Sequence, residues 1–210
     1  MLALPVNSVL LVIDVQQAFN NPVWGERNNP CAELNISVLL AEWRRMHYPV
    51  VHIHHVNPSP TSLFNGDQHG VLVKDEAMPI AGEPIFSKCV NSAFIGTELE
   101  TELRAKAAST LVIVGLTTDH CVSTTARMAA NLGFITYVIS DATATFERIG
   151  PDGRHWEAQM VHDSALASLN NEFATVISTE EVLSSISGQS APPSLEQRES
   201  LAGVTEYLRA

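Results

Sequence analysis

No run of roughly 18 apolar residues occurs anywhere in the chain, so nothing in it reads as a membrane span. Basic residues are scarce: 12 Lys plus Arg stand against 23 Asp plus Glu, a formal net charge of −11, and no Lys/Arg stripe interrupts that balance. Such a surface repels a phosphate backbone, so no nucleic-acid partner is expected. Charge is thin altogether, at 17% of residues against 45% hydrophobic, which suits a globular domain whose surface is partly covered by copies of itself. Cysteine is sparse as well. The three residues, Cys31, Cys89 and Cys121, form neither an even disulfide set nor a metal spacing, and a reducing cytoplasm is the expected home. The opening MLALPVNSVLLVID lacks a basic leader and reads as the start of the fold rather than a signal peptide. No internal repeat is evident.

What is present alternates between two periodicities. SVLLVIDV (8–15) and TLVIVGL (110–116) are nearly continuous apolar runs, as strands buried on both faces require. PVVHIHHV (49–56), PIFSK (84–88), FITYVIS (134–140) and FATVIS (173–178) complete a set of strand candidates. Between them, residues 34–47 place Ile36, Leu39, Leu40 and Trp43 at helical spacing. Further helices are expected over 97–107, with a Glu102–Lys106 pair, over 121–132, over 157–169, and over TEEVLSSI (179–186), which Thr179 can cap. Residues 57–83, with NPSP, NGD and AGEP, read as a long loop of the kind that lines sites.

Alternating strands and helices predict an α/β fold: three layers, α/β/α, around a mainly parallel, doubly wound sheet, with the site at the carboxyl ends of its strands. One domain is expected over residues 1–186. SGQSAPPSLEQRES then opens a flexible extension over 187–210. Within it Leu201, Val204 and Leu208 give 201–210 the spacing of either a docking helix or a frayed tail.

Three chemically distinct residues fall at predicted strand ends: Asp14, Lys88 and Cys121. Singly each has an ordinary explanation, as a turn carboxylate, a solvated lysine and a small core thiol. Together on one rim they form a set in which a thiol attacks, a carboxylate moves the proton and a cation balances charge. Cys121 follows GLTTDH at an expected helix start, where free N–H groups favour a thiolate and can hold an oxyanion.

VLLVIDVQQAF, Lys88 with CVNSAFIGT behind it, and GLTTDHCVSTTARMAANLGF followed by SDATAT resemble the isochorismatase-like, or cysteine hydrolase, superfamily over roughly residues 8–180. That resemblance implies a six-stranded parallel sheet flanked by helices and a homo-oligomer, a dimer or tetramer. It implies Asp14 as general base and then acid, Lys88 as the charge anchor, and Cys121 as the nucleophile that forms a thioester. It also implies a cis peptide between Leu116 and Thr117, with the N–H groups of Thr117 and Cys121 as the oxyanion hole. Phe19, Trp24 and Phe94 match positions that line the substrate pocket in relatives. His55 can enter it as a hydrogen-bonding residue, Asn91 and Ser92 are further polar candidates, and Gln16 supports the Asp14 loop.

The dense group His52, His54 and His55 offers imidazoles that can bind zinc, but no clear third ligand shares a face with His52 and His54. Nicotinamidases of the superfamily carry an Asp-x-His pair after this strand, and HIHHVNPSP has no such Asp, so no metal and no cofactor is expected. The leading expectation is a metal-free hydrolase that cleaves a C–N bond of a small amide, ureido or carbamoyl substrate. The alternatives are an isochorismatase-type vinyl ether hydrolase and a non-catalytic partner-binding protein that keeps the fold.

Overall fold

A computed structural model describes residues 4–186. The extension at 187–210 and its 201–210 helix candidate lie outside the described residues. The apolar runs become strands β1 (Val9–Ile13), β2 (Val50–His55), β3 (Ile85–Lys88), β4 (Thr110–Leu116) and β5 (Ile135–Ala144). Between them lie helices α1 (Ala32–Arg45), α2 (Leu99–Ala105) and α3 (Ser123–Asn131). Two short strands, β6 (Arg148–Ile149) and β7 (His155–Trp156), form a hairpin that the periodicity did not announce. Helix α4 (Ala158–Leu169), β8 (Thr175–Ile177) and α5 (Thr179–Ile186) close the described chain.

Six strands form one parallel sheet in the order β3-β2-β1-β4-β5-β8. The chain winds outward from the centre in two directions, so β1 and β4 meet at the switch point, where a crevice opens at their carboxyl ends. Alternation along β1 and β4 explains why those runs are apolar throughout. Leu10, Val12, Val112 and Val114 face one core, covered by α1 and α5. Val9, Leu11, Ile13, Leu111 and Ile113 face the other, under α2, α3 and α4. Burial of each such side chain is worth about 1.5–3 kcal/mol. Trp43 is wholly buried in the first core, and its indole N–H donates to the Ser8 carbonyl at 3.0 Å, so a large apolar group enters without an orphaned donor.

Three local features differ from the periodicity. β5 runs past Ser140 to Ala144, with a register shift opposite β4 between Ile113 and Gly115. Asn29 Nδ2 donates to the carbonyls of Ser140 and Thr143, and Asn35 Nδ2 to that of Asp141, so side-chain amides satisfy the irregular stretch that reads as loop. The second is the start of α5. Ser178 and Glu181 exchange capping hydrogen bonds there, while Thr179, the expected cap, donates its N–H and hydroxyl to Asp141. The third is the 57–83 loop, which is ordered by pairing of Gln16 with Val73 and by two short 3-10 turns. Among the described residues, no helix is long and apolar enough to cross a membrane.

Candidate active site

The strand ends deliver the three predicted residues to one place. Asp14 leaves β1 with φ +50°, a left-handed conformation that Asp tolerates better than most residues, while its N–H still donates to Ile53. This turn swings the carboxylate over the rim. Gly115 stands beside it in β4 at φ +118°, in register with Ile13; a Cβ there would lie 1.9 Å from the Ile13 carbonyl oxygen. Any side chain at 115 would therefore push apart the two central strands just below the site. The next peptide bond, Leu116–Thr117, is cis. The chain then enters a π-helical turn, Thr118–Val122, that carries Cys121 into α3, so the helical segment begins three residues before the expected start at Cys121.

Lys88, at the end of β3, is the hub. Its Nζ lies 2.6 Å from Asp14 Oδ2, 3.3 Å from Cys121 Sγ and 3.2 Å from His55 Nδ1. An ammonium has three N–H donors, and here all three have acceptors. The Lys88–Asp14 pair is dry, with side chains 0% and 1% exposed. Asp14 Oδ1 is also buried and has no hydrogen-bond partner by geometry, while the carboxylate lies within 4.8 Å of Cys121 Sγ. Burial pushes the Asp14 carboxyl above its ordinary range, against the lowering pull of Lys88. Burial first, and the Asp14 charge second, push the Cys121 thiol up to about 12. Desolvation beside a carboxylate thus works against the thiolate that a helix start favours, and it sets the thiol next to a base.

His55 lines the cavity above this trio, and burial drives its pKa down to about 4, so it is neutral near pH 7. With Nδ1 accepting from Lys88, its proton resides on Nε2. Gln16 fixes the His55 backbone from both sides: its amide accepts from His55 N–H at 2.8 Å and donates to His55 O at 3.0 Å, with a further bond to Val71 O. The other two histidines of the group lie elsewhere. His52 bonds Glu83 at 2.8 Å, and its ring packs edge-on to that of His54. Asp14, His55 and Cys121 do present a trio of metal-ligand types. The Lys88 ammonium bonds all three, however, so the place of a cation is already taken by a side chain, and these residues do not fit a bound metal.

The cavity measures about 250 Å³. Phe19, Trp24 and Phe64 form its aromatic wall, with ring centroids 5.2–6.4 Å apart. Phe146 stacks behind Phe19 at 5.9 Å. Thr117 and Cys121 lie on its floor side, and Asn57, Ser62, Asn91 and His120 supply polar edges. Phe94 is not in this lining. It stacks on Phe134, 6.1 Å away, in the core under α2 and α3, so its expected place in the pocket is corrected by packing. Ser92 is likewise outside the lining; its hydroxyl accepts from Phe94 N–H. Phe64, Asn57, Ser62 and His120 were not expected. Phe64 had one signal in the sequence, as the sole aromatic residue in the 57–83 loop.

Comparison with known proteins agrees with this geometry. The family model described as Isochorismatase domain matches residues 8–181. The isochorismatase family protein YrdC of Bacillus subtilis is 47% identical over 174 residues, covering 83% of this chain and 93% of that protein. The secreted isochorismatase effector Isc1 of Verticillium dahliae is 32% identical, covering 84% of this chain and 90% of its own. A crystal structure of an isochorismatase-family protein from Chromobacterium violaceum superposes with a TM-score of 0.87 at 39% identity, covering 89% of this chain and 97% of that one.

Proposed function

Because the chain belongs to the isochorismatase family of hydrolases, we propose that it cleaves a C–N bond of a small amide, ureido or carbamoyl substrate through a thioester on Cys121. The observation that carries this reading is the buried contact of Asp14, Lys88 and Cys121 beneath a cavity of substrate size.

In this reading the substrate carbonyl sits over Cys121 Sγ. As the S–C bond forms, the thiol proton passes to Asp14, whose Oδ1 has no other partner. The raised pKa of Asp14 makes it a stronger base than an exposed aspartate, and Lys88 keeps the carboxylate ionised and in place. Thr117 and Cys121 backbone N–H groups are assigned to the oxyanion of the tetrahedral intermediate. Asp14 then returns the proton to the leaving nitrogen, the C–N bond breaks, and the amine departs. A water, deprotonated by Asp14, attacks the thioester and releases the acid, and the proton returns to sulfur. Phe19, Trp24 and His55 orient the acyl group.

Intact-protein mass spectrometry during turnover tests this. A mass increment equal to the substrate acyl group, mapped to Cys121 and absent in Cys121→Ala, is expected. Undiminished ammonia release by Cys121→Ala would overturn the thiol route. Vinyl ether hydrolysis is the second reading, favoured by the name of the Verticillium relative. Pyruvate release from isochorismate without ammonia release from any amide would select it.

A further inference from the structure

Resting on the thiol-hydrolase reading above, we propose that the cavity selects an uncharged, planar acyl group, so that the amide it takes bears neither a carboxylate nor an ammonium. The juxtaposition that carries this is an aromatic wall, Phe19, Trp24 and Phe64, facing amide and hydroxyl edges from Asn57, Ser62 and Asn91, while the ionisable Asp14 and His120 of the lining each already have a charged partner in Lys88 and Asp119.

Charge recognition needs a partner, and Asp14 and His120, which line the cavity, are already paired, Asp14 with Lys88 and His120 with Asp119. No lysine or arginine lines it among the described residues. Lys88, just beneath, has spent its three donors on Asp14, Cys121 and His55. His55 is held neutral by burial. His120, at the edge, is already engaged with Asp119 at 3.4 Å, and Asp119 also binds Arg148. Arg27, which pairs through its backbone with Phe146, directs its guanidinium to Glu33. An anionic substrate would therefore enter a low-dielectric space beside the Asp14 carboxylate with no cation to receive it. A cationic one would meet Asp14, whose charge the buried Lys88 ammonium already neutralises. An uncharged ring meets neither penalty. Its faces have the aromatic wall to pack on, and its acyl-side acceptors have the His55 Nε2–H, which makes no hydrogen bond among the described residues, and the Asn57, Ser62 and Asn91 edges. The cavity, about 250 Å³, has room for one ring with its carboxamide.

The test separates binding from chemistry. The full-length Cys121→Ala variant is titrated calorimetrically with two isosteric pairs: 4-nitrobenzamide against 4-carbamoylbenzoate, and 4-tert-butylbenzamide against 4-(trimethylammonio)benzamide. Each neutral compound is expected to bind at least about tenfold more tightly than its charged isostere. Equal affinities within a pair, tighter binding of a charged isostere, or no binding of any of the four at millimolar concentration would overturn the proposal. Asn57→Arg in the same background places a cation at the edge and is expected to bring 4-carbamoylbenzoate to within about threefold of 4-nitrobenzamide. Unchanged selectivity in that variant would show that charge at the lining does not decide, and would also overturn it. Ammonia release from the two neutral amides by the unmodified chain is read separately. Selective binding without release would leave the selectivity standing and count against C–N cleavage.

Discussion

Two lysines are buried in this molecule, each 2.6 Å from a carboxylate, and they do different things. Lys88 pairs with Asp14 at the sheet rim. Lys74, in the 57–83 loop, pairs with Glu33 on α1, and Arg27 grips the same Glu33 with two guanidinium nitrogens. Around Glu33 both carboxylate oxygens are occupied, and its pKa falls to about 2, because the bonds from Arg27 and Lys74 together outweigh the burial that would raise it. Around Asp14 one oxygen is unpartnered, burial wins, and the pKa rises. The first arrangement is a latch, tying together the loop that carries Trp24 and the loop that carries Phe64. The second is an unfinished network facing a thiol and a cavity. A buried lysine–carboxylate pair is thus no mark of catalysis by itself; the spare oxygen and the adjacent nucleophile are what distinguish it.

The contrast can be broken most sharply at the rim. Asp14→Asn and Lys88→Met, each made singly, should lower kcat/KM for amide hydrolysis by about 10³-fold or more, with far-UV circular dichroism confirming that the fold persists. Lys74→Met should do the reverse. It should cost about 1–3 kcal/mol of stability in urea titration, since Glu33 retains Arg27, and leave kcat/KM within about tenfold. A 10³-fold activity loss in Lys74→Met would erase the distinction.

Acid should separate the two sites in order. The Asp14 pKa is raised from its ordinary 3.8, so the carboxylate needed as base is lost while pH is still above that value, and the acid limb of kcat/KM should lie above pH 3.8. The Glu33 pKa is lowered from 4.5 to about 2, so the stability of the latch is complete above pH 4.5 and is lost only as pH falls through that interval toward 2. Activity should therefore decline before near-UV circular dichroism does; simultaneous loss would contradict this. The smallest expected effects concern the wall. Phe64→Ala should raise KM about tenfold, whereas Phe94→Leu, in the core, should change it less than about twofold.

Much of this was legible in the sequence because its causes are local. Apolar runs without alternation can only be strands covered on both faces, and SVLLVIDV and TLVIVGL became β1 and β4 at the centre of the sheet. The helix from Ala32 was readable from Ile36, Leu39, Leu40 and Trp43, all of which are buried. The irregular end of β5 was not, because it is held by amides of Asn29 and Asn35, more than 100 residues earlier. Phe94 resembled a pocket residue by position, yet Phe134 offered it a partner in the core.

By itself the sequence determined the α/β class, the family, and the three residue types set at the ends of strands, since periodicity and motif are properties of neighbouring residues. The tertiary structure alone decided which carboxylate oxygen is spare, that burial beside Asp14 raises the Cys121 pKa, that Lys88 is saturated by three acceptors, and that Lys74 is a latch. These depend on desolvation and on distances of a few ångströms between groups remote in the chain. Neither quantity exists until the sheet is assembled.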